Sequence, residues 1–176
     1  MPFVPDDFPV PHSLRADAFQ LAVLSPIHAE ADFAAVRASA NRIRHVFGPH
    51  NGWPAPDLTP EENLADLTRH AAEFERREAF AYAMLDPAGL QYLGCLYLKP
   101  IKSRLAVDLR RERFQAQAFF WLSEAGLALD ADAVQTRLAQ WLHEAWPWAA
   151  VAFPGRAPGW AEWEALAVPG AVRAHP

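Results

Sequence analysis

The stretch Trp121-Leu122-Ser123-Glu124-Ala125-Gly126-Leu127-Ala128-Leu129-Asp130-Ala131 runs from an apolar strand into the start of a helix. Such a junction presents backbone N–H groups, and with the positive end of the helix dipole it can seat a phosphate. Asp130 stands where an ordinary N-cap would stand, and an acid there competes with a phosphate for the same amides. Glu124 is the nearest carboxylate and a candidate general base, against the commoner reading of a solvated loop acid. His45 and His50 occupy a long loop, and imidazole is the side chain suited to proton transfer near neutrality, although exposed histidines are usually idle. No third ligand stands at an informative spacing from them, so no metal site is expected. Lys99, Lys102, Arg104, Arg110, Arg111 and Arg113 face only Asp108 and Glu112, a local basic cluster suited to an anion or simply to solvation.

Composition limits what these groups can serve. A chain of 176 residues, 52% of them hydrophobic, is one domain with enough apolar surface for a core. Its net charge of −5 argues against nucleic acid as the partner. No apolar run approaches the ~18 residues of a membrane span, and the N-terminus lacks a basic segment leading into an apolar one. The single cysteine, Cys95, cannot form an internal disulfide and reads as a small buried hydrophobe, so a cytoplasmic protein is expected.

The elements that must position these residues follow from local patterns. Pro2, Pro5, Pro9 and Pro11 make residues 1–18 an extended, poorly fixed arm, and residues 19–176 form one domain. Phe19–Leu24 alternates as a strand, and Ser25-Pro26 opens a helix to about Ser39. Residues 41–58 hold Gly48-Pro49 and Asn51-Gly52 and form a long loop of the kind that is functional or mobile. Thr59-Pro60-Glu61-Glu62 is a capping box, starting a helix to about Arg77. Phe80–Leu85 and Gln91–Lys99 are strands joined by Asp86-Pro87-Ala88-Gly89, and Phe114–Leu122 is a third. Ala131–Trp146 is a helix, Ala149–Phe153 a short strand, and the remainder holds one short helix and at best a strand stub at Ala171–Ala174. Trp141 shares the apolar helix face of Leu138 and Leu142, and His143 reads as a packing residue. For Trp146, Trp148, Trp160 and Trp163 core filling is the default, and an exposed subset of them would make a homodimer face.

This order, with the hairpin Phe80-Ala81-Tyr82-Ala83-Met84-Leu85 to Leu93-Gly94-Cys95-Leu96-Tyr97-Leu98 and with Phe119-Phe120-Trp121-Leu122 leading into an amphipathic helix, resembles the GNAT superfamily of N-acetyltransferases. The resemblance implies an α/β fold: a mixed, mostly antiparallel sheet flanked by helices, with a shortened C-terminus. Its order would be strand, two helices, three strands, helix, strand, helix. It also implies that Ala149–Phe153 lies beside Phe114–Leu122, parallel to it and splayed away to admit a pantetheine arm. It implies acetyl-CoA as co-substrate and acyl transfer to the amine of a small molecule or peptide. Trp121 and Leu122 would then line the pantetheine, and the backbone of Gly126, Leu127, Ala128, Leu129, Asp130 and Ala131 would meet the pyrophosphate. The chain departs from the family pattern in three places. The usual Gln/Arg-x-x-Gly-x-Gly/Ala loop retains only Gly126, and no Lys or Arg occurs from Phe114 to Thr136. The strand offers Gln115 and Gln117 where the family often has a carboxylate base. All three tyrosines (Tyr82, Tyr92, Tyr97) precede the region where the family often places an acid. Two alternatives therefore stand beside acetyl transfer: a binding or assembly module of the same shape without catalysis, and a transferase of a different acyl group.

Overall fold

The computed structural model describes residues 3–105 and 107–167; the strand stub expected at Ala171–Ala174 lies outside them. Strands β1 (Ser13–Arg15) and β2 (Gln20–Val23) precede helices α1 (Ala29–Ile43) and α2 (Pro60–Glu75). Strands β3 (Phe80–Leu85) and β4 (Tyr92–Lys99), a short helix α3 (Leu109–Arg113) and β5 (Ala116–Leu122) follow. Helix α4 (Ala131–Ala145), β6 (Val151–Ala152) and α5 (Trp160–Ala165) complete the described chain. The six strands lie in sequence order in one sheet, antiparallel throughout except for the parallel β5–β6 pair.

Local chemistry accounts for most boundaries. The Thr59 hydroxyl accepts the Glu62 amide at 3.2 Å and the Glu62 carboxylate accepts the Thr59 amide at 2.9 Å, so α2 starts at the capping box. Ser25 is capped in return by His28 Nδ1 at 3.2 Å, but Pro26–His28 form a 3₁₀ turn before α1, which then runs four residues past Ser39. β5 begins at Ala116 rather than Phe114, because the Phe114 amide is spent closing α3 on Arg110. Gly94 has φ +149°, and a Cβ there would lie 1.9 Å from the Trp121 carbonyl oxygen, so β4 and β5 approach closely enough at this point to exclude any side chain.

Alternation along the strands divides the core in two. Tyr82, Leu96, Phe120 and Leu138 pack on the α4 side, and Leu67, Cys95, Tyr97, Phe119 and Trp121 pack under α1 and α2. Burial of one such side chain is worth about 1.5–3 kcal/mol. Two expectations need correction, and the tryptophans fill the core. The N-terminal arm is held: Ser13–Arg15 form the edge strand, Val4 is buried, and the Arg77 guanidinium and Tyr82 hydroxyl donate to carbonyls of Phe8 and Pro11. Apolar residues between the prolines bring this about. His143 is exposed, because it falls on the solvent side of the α4 face that buries Trp141 and Leu142. Trp146 and Trp148 stack at 4.6 Å and are buried, as is Trp163, so these rings form core rather than an exposed face.

Candidate active site

Strand β6 accompanies β5 for only two rungs, Ala116 to Val151 and Gln117 to Ala152. Phe153 then bridges to Ala157, and the turn carries the chain away into α5. Among the described residues no strand covers the edge of β5 from Ala118 to Leu122, so a row of peptide N–H and C=O groups faces a cleft of about 450 Å³. Its walls are the end of α1, Leu127 and Ala131 below, and the Pro154–Arg156 turn with Trp160 above. Such a slot suits an extended, amide-bearing chain pairing with a strand edge.

Arg42, Arg44 and Arg156 line this cleft and, among the described residues, no carboxylate does, although Arg42 is paired to Glu124 at the rim. Arg42 bridges the cleft floor, donating to the Leu122 carbonyl at 2.7 Å and to Glu124 Oε1 at 2.7 Å. Arg156 lies 4.0 Å over the Phe120 ring, and burial pushes its pKa down. Among the described residues no carboxylate stands within ion-pair distance of Arg44 or Arg156.

No family model and no curated protein matches the chain. Solved structures do. A putative GnaT-family acetyltransferase from Bordetella pertussis superposes with TM-score 0.51 at 19% identity, over 74% of this chain and 72% of that one. The acetyl transferase of Salmonella typhimurium that modifies the N-terminal serine of a 50S ribosomal subunit protein gives 0.54 at 15% identity, covering 76% and 67%. The microcin C7 self-immunity acetyltransferase MccE, in complex with acetyl-CoA and AMP, gives 0.52 at 13% identity, covering 77% and 67%. The chain has the GNAT fold.

Within this GNAT fold the residues nominated from sequence divide among three places. Trp121, Leu122, Leu127, Ala131 and His45 meet at the cleft. Leu129 and Asp130 line a different cleft of about 320 Å³ on the β1–β2 side of α4, with Arg15 and Arg137. His50 and Ala128 are exposed and line neither, and Glu124 stands at the rim, paired to Arg42. The turn amides are largely in use. Those of Leu127 and Leu129 bond to Ser123 and Gly126 carbonyls, that of Gly126 donates to Ser123 Oγ at 3.1 Å, and Asp130 Oδ1 takes those of Asp132 and Ala133 at 2.9 Å. Gly126 is a glycine for a packing reason, since a Cβ would lie 2.2 Å from the Leu93 carbonyl. His45 adopts φ 70° with Nδ1 3.0 Å from the Asn51 carbonyl, which fixes the ring to its own loop.

Sequence reading missed the other half of the site. Arg42, Arg44 and Arg156 carry no motif, and only their meeting in space reveals them. A buried polar layer beneath α1 and α2 was also invisible. The Tyr92 hydroxyl donates to Asp32 at 2.6 Å, Asn63 donates to the same carboxyl at 3.0 Å, and burial raises the Asp32 pKa. Trp121 Nε1 donates to the Tyr97 hydroxyl at 3.3 Å, and burial pushes both Tyr92 and Tyr97 well up. Arg69 can only donate, so the 3.4 Å contact makes His70 Nε2 an acceptor, and Nδ1–H donates to Glu73 at 3.2 Å. Burial, then Arg69 and Lys99, lower the His70 pKa to about 4. Neither nitrogen of His70 is free to take a proton from a substrate.

Proposed function

We propose that this chain is an acyltransferase that moves the acetyl group of acetyl-CoA to an amine. The observation that carries the reading is the uncovered β5 edge, Ala118–Leu122, opening into a cleft ringed by Arg42, Arg44 and Arg156. The residues fit the co-substrate in two ways. The peptide groups of the β5 edge suit the amides of a pantetheine arm, flanked by Trp121, Leu122, Leu127 and Ala131. Arg44 and Arg156, which no carboxylate pairs among the described residues, supply positive charge that the turn before α4 lacks, and a guanidinium is well matched to phosphate. Acetyl-CoA contributes the activated acyl carbon. Acetyl-CoA or coenzyme A bound in similarly folded proteins supports this assignment.

For the transfer itself, an N–C bond forms as the C–S bond breaks, and the amine gives up one proton. Gln117, at the last β5–β6 rung, can orient but cannot accept that proton, and its amide already donates to the Pro100 carbonyl at 3.1 Å. Glu124 is committed to Arg42 and His70 to Glu73. The chain therefore works by positioning, with proton loss to water. Turnover should be slow and should climb with pH toward the acceptor amine's own pKa, and Glu124→Gln should change it little. A rate that levels off above a pKa near neutrality, and vanishes on replacing His45 or His50, would overturn this. The internally bonded turn amides favour one second reading, a binding module of the same shape. Calorimetric titration of acetyl-CoA and free coenzyme A decides: binding of neither, with no transfer to any amine, gives the case to the module.

A further inference from the structure

A third cavity, of about 370 Å³, lies under α2 and is polar: Arg69, Glu73, Glu78, Lys99, Lys102 and Gln117 line it. Its charges are unevenly matched. Glu73 is shared between Arg69 at 2.9 Å and His70 at 3.2 Å, and Glu78 is held by Arg76 at 2.9 Å. Among the described residues no carboxylate stands within ion-pair distance of Lys99 or Lys102. The Lys99 ammonium instead rests over the rings of Phe47 and Tyr97, at 4.6 and 5.5 Å. A half-buried ammonium held by ring faces keeps its N–H donors for something else, since burying a charge without a hydrogen-bonding partner is costly.

The position matters as much as the charge. Gln117 belongs to this cavity and Ala118 to the acyl cleft, so the two meet one residue apart on β5, about 3.3 Å along the strand. Gln117 alternates with Phe119 and Trp121 and so points to the α1–α2 side of the sheet. An amine approaching the splay from that side passes Lys99. We infer that Lys99 and Lys102 receive an anionic group of the acceptor, so that the preferred substrate is a small amine carrying a carboxylate or phosphate a few bonds from its nitrogen. The inference rests on the transferase reading. Burial and the nearby Arg69 lower the Lys99 pKa, as expected of an ammonium that a bound anion would stabilise.

The test is calorimetric titration of the full chain with β-alanine, phosphoethanolamine and n-propylamine, each with and without saturating coenzyme A. The two anionic amines should bind at least about tenfold more tightly than propylamine, as charge-assisted hydrogen bonds imply. The tighter of the two names the anion. Lys99→Met should reduce the advantage below about threefold, Lys99→Arg should retain it, and Lys99→Gln serves if the methionine variant does not fold. Equal binding of all three amines, or an advantage that survives in Lys99→Met/Lys102→Met, overturns the proposal. A coenzyme A titration on the same samples separates the two claims. A retained anion preference without coenzyme A binding would sink the transferase reading and leave the anion site standing.

Discussion

Acid should loosen the contact between α2 and β4 through one side chain, His70. Its ring is 7% exposed and packs 5.3 Å from the Tyr97 ring, and its pKa sits at about 4 against an ordinary 6.5. The sign follows from which state binds the proton more readily. The unfolded chain takes it near 6.5 and the folded one only near 4, so the contribution is fully present above 6.5 and is lost as pH falls toward 4. That gap is worth about 3 kcal/mol at ~1.4 kcal/mol per pH unit, and about 2 kcal/mol of it should be gone by pH 5. The assay is urea unfolding at pH 7.5 and pH 5.0 of the natural protein and of His70→Asn, which keeps an N–H toward Glu73 but cannot titrate. The natural protein should lose about 2 kcal/mol more than the variant between the two pH values. Asp32, with its raised pKa, is present in both proteins and cancels, and Glu73 keeps its Arg69 partner in both. Equal pH dependence would refute the reasoning, since it would mean that the ring is not held neutral by its surroundings.

Gly94→Ala should destabilise the fold by about 3 kcal/mol or more, read by thermal or urea melting, because the new methyl meets backbone rather than a movable side chain. Arg156→Ala should weaken acetyl-CoA binding about tenfold by calorimetry if the cleft arginines hold the phosphates. Asp130→Asn should change that affinity less than about twofold, since Asp130 caps α4 beside the other cleft; marked tightening would return the pyrophosphate to the turn amides.

The fold was readable where one local rule governed one element. The Thr59–Glu62 box, the Asp86–Gly89 turn and the Asp130 cap each act within a few residues, and the strands near them are found where the sequence places them. The parallel β5–β6 pair and its splay came from family resemblance, and the two-rung ladder agrees with it. Legibility failed where partners are distant in sequence. Arg42 and Leu122 are 80 residues apart, and Tyr92 and Asp32 are 60 apart, so neither pair leaves a spacing to notice. Gly126 meets the Leu93 carbonyl too closely to carry a Cβ, another contact that leaves no spacing to notice.

The held N-terminal arm bears on the order in which the molecule can be completed. The Phe3 ring stacks on Phe80 and on Trp148, and the Phe3 carbonyl accepts from Trp148 Nε1 across 145 positions of sequence. On a ribosome Phe3 emerges before Trp148, so one half of its binding surface is made only after another 145 positions have been synthesised. Until then Phe3, Val4 and Phe8 must travel as exposed apolar groups beside a half-built sheet, the condition under which nascent chains recruit chaperones or associate with one another. Contacts of such long separation also pay their loop-closure entropy before they return any energy. The seam between Phe3 and Trp148 is therefore open to error during synthesis, although in the finished protein Val4 and Trp148 are buried.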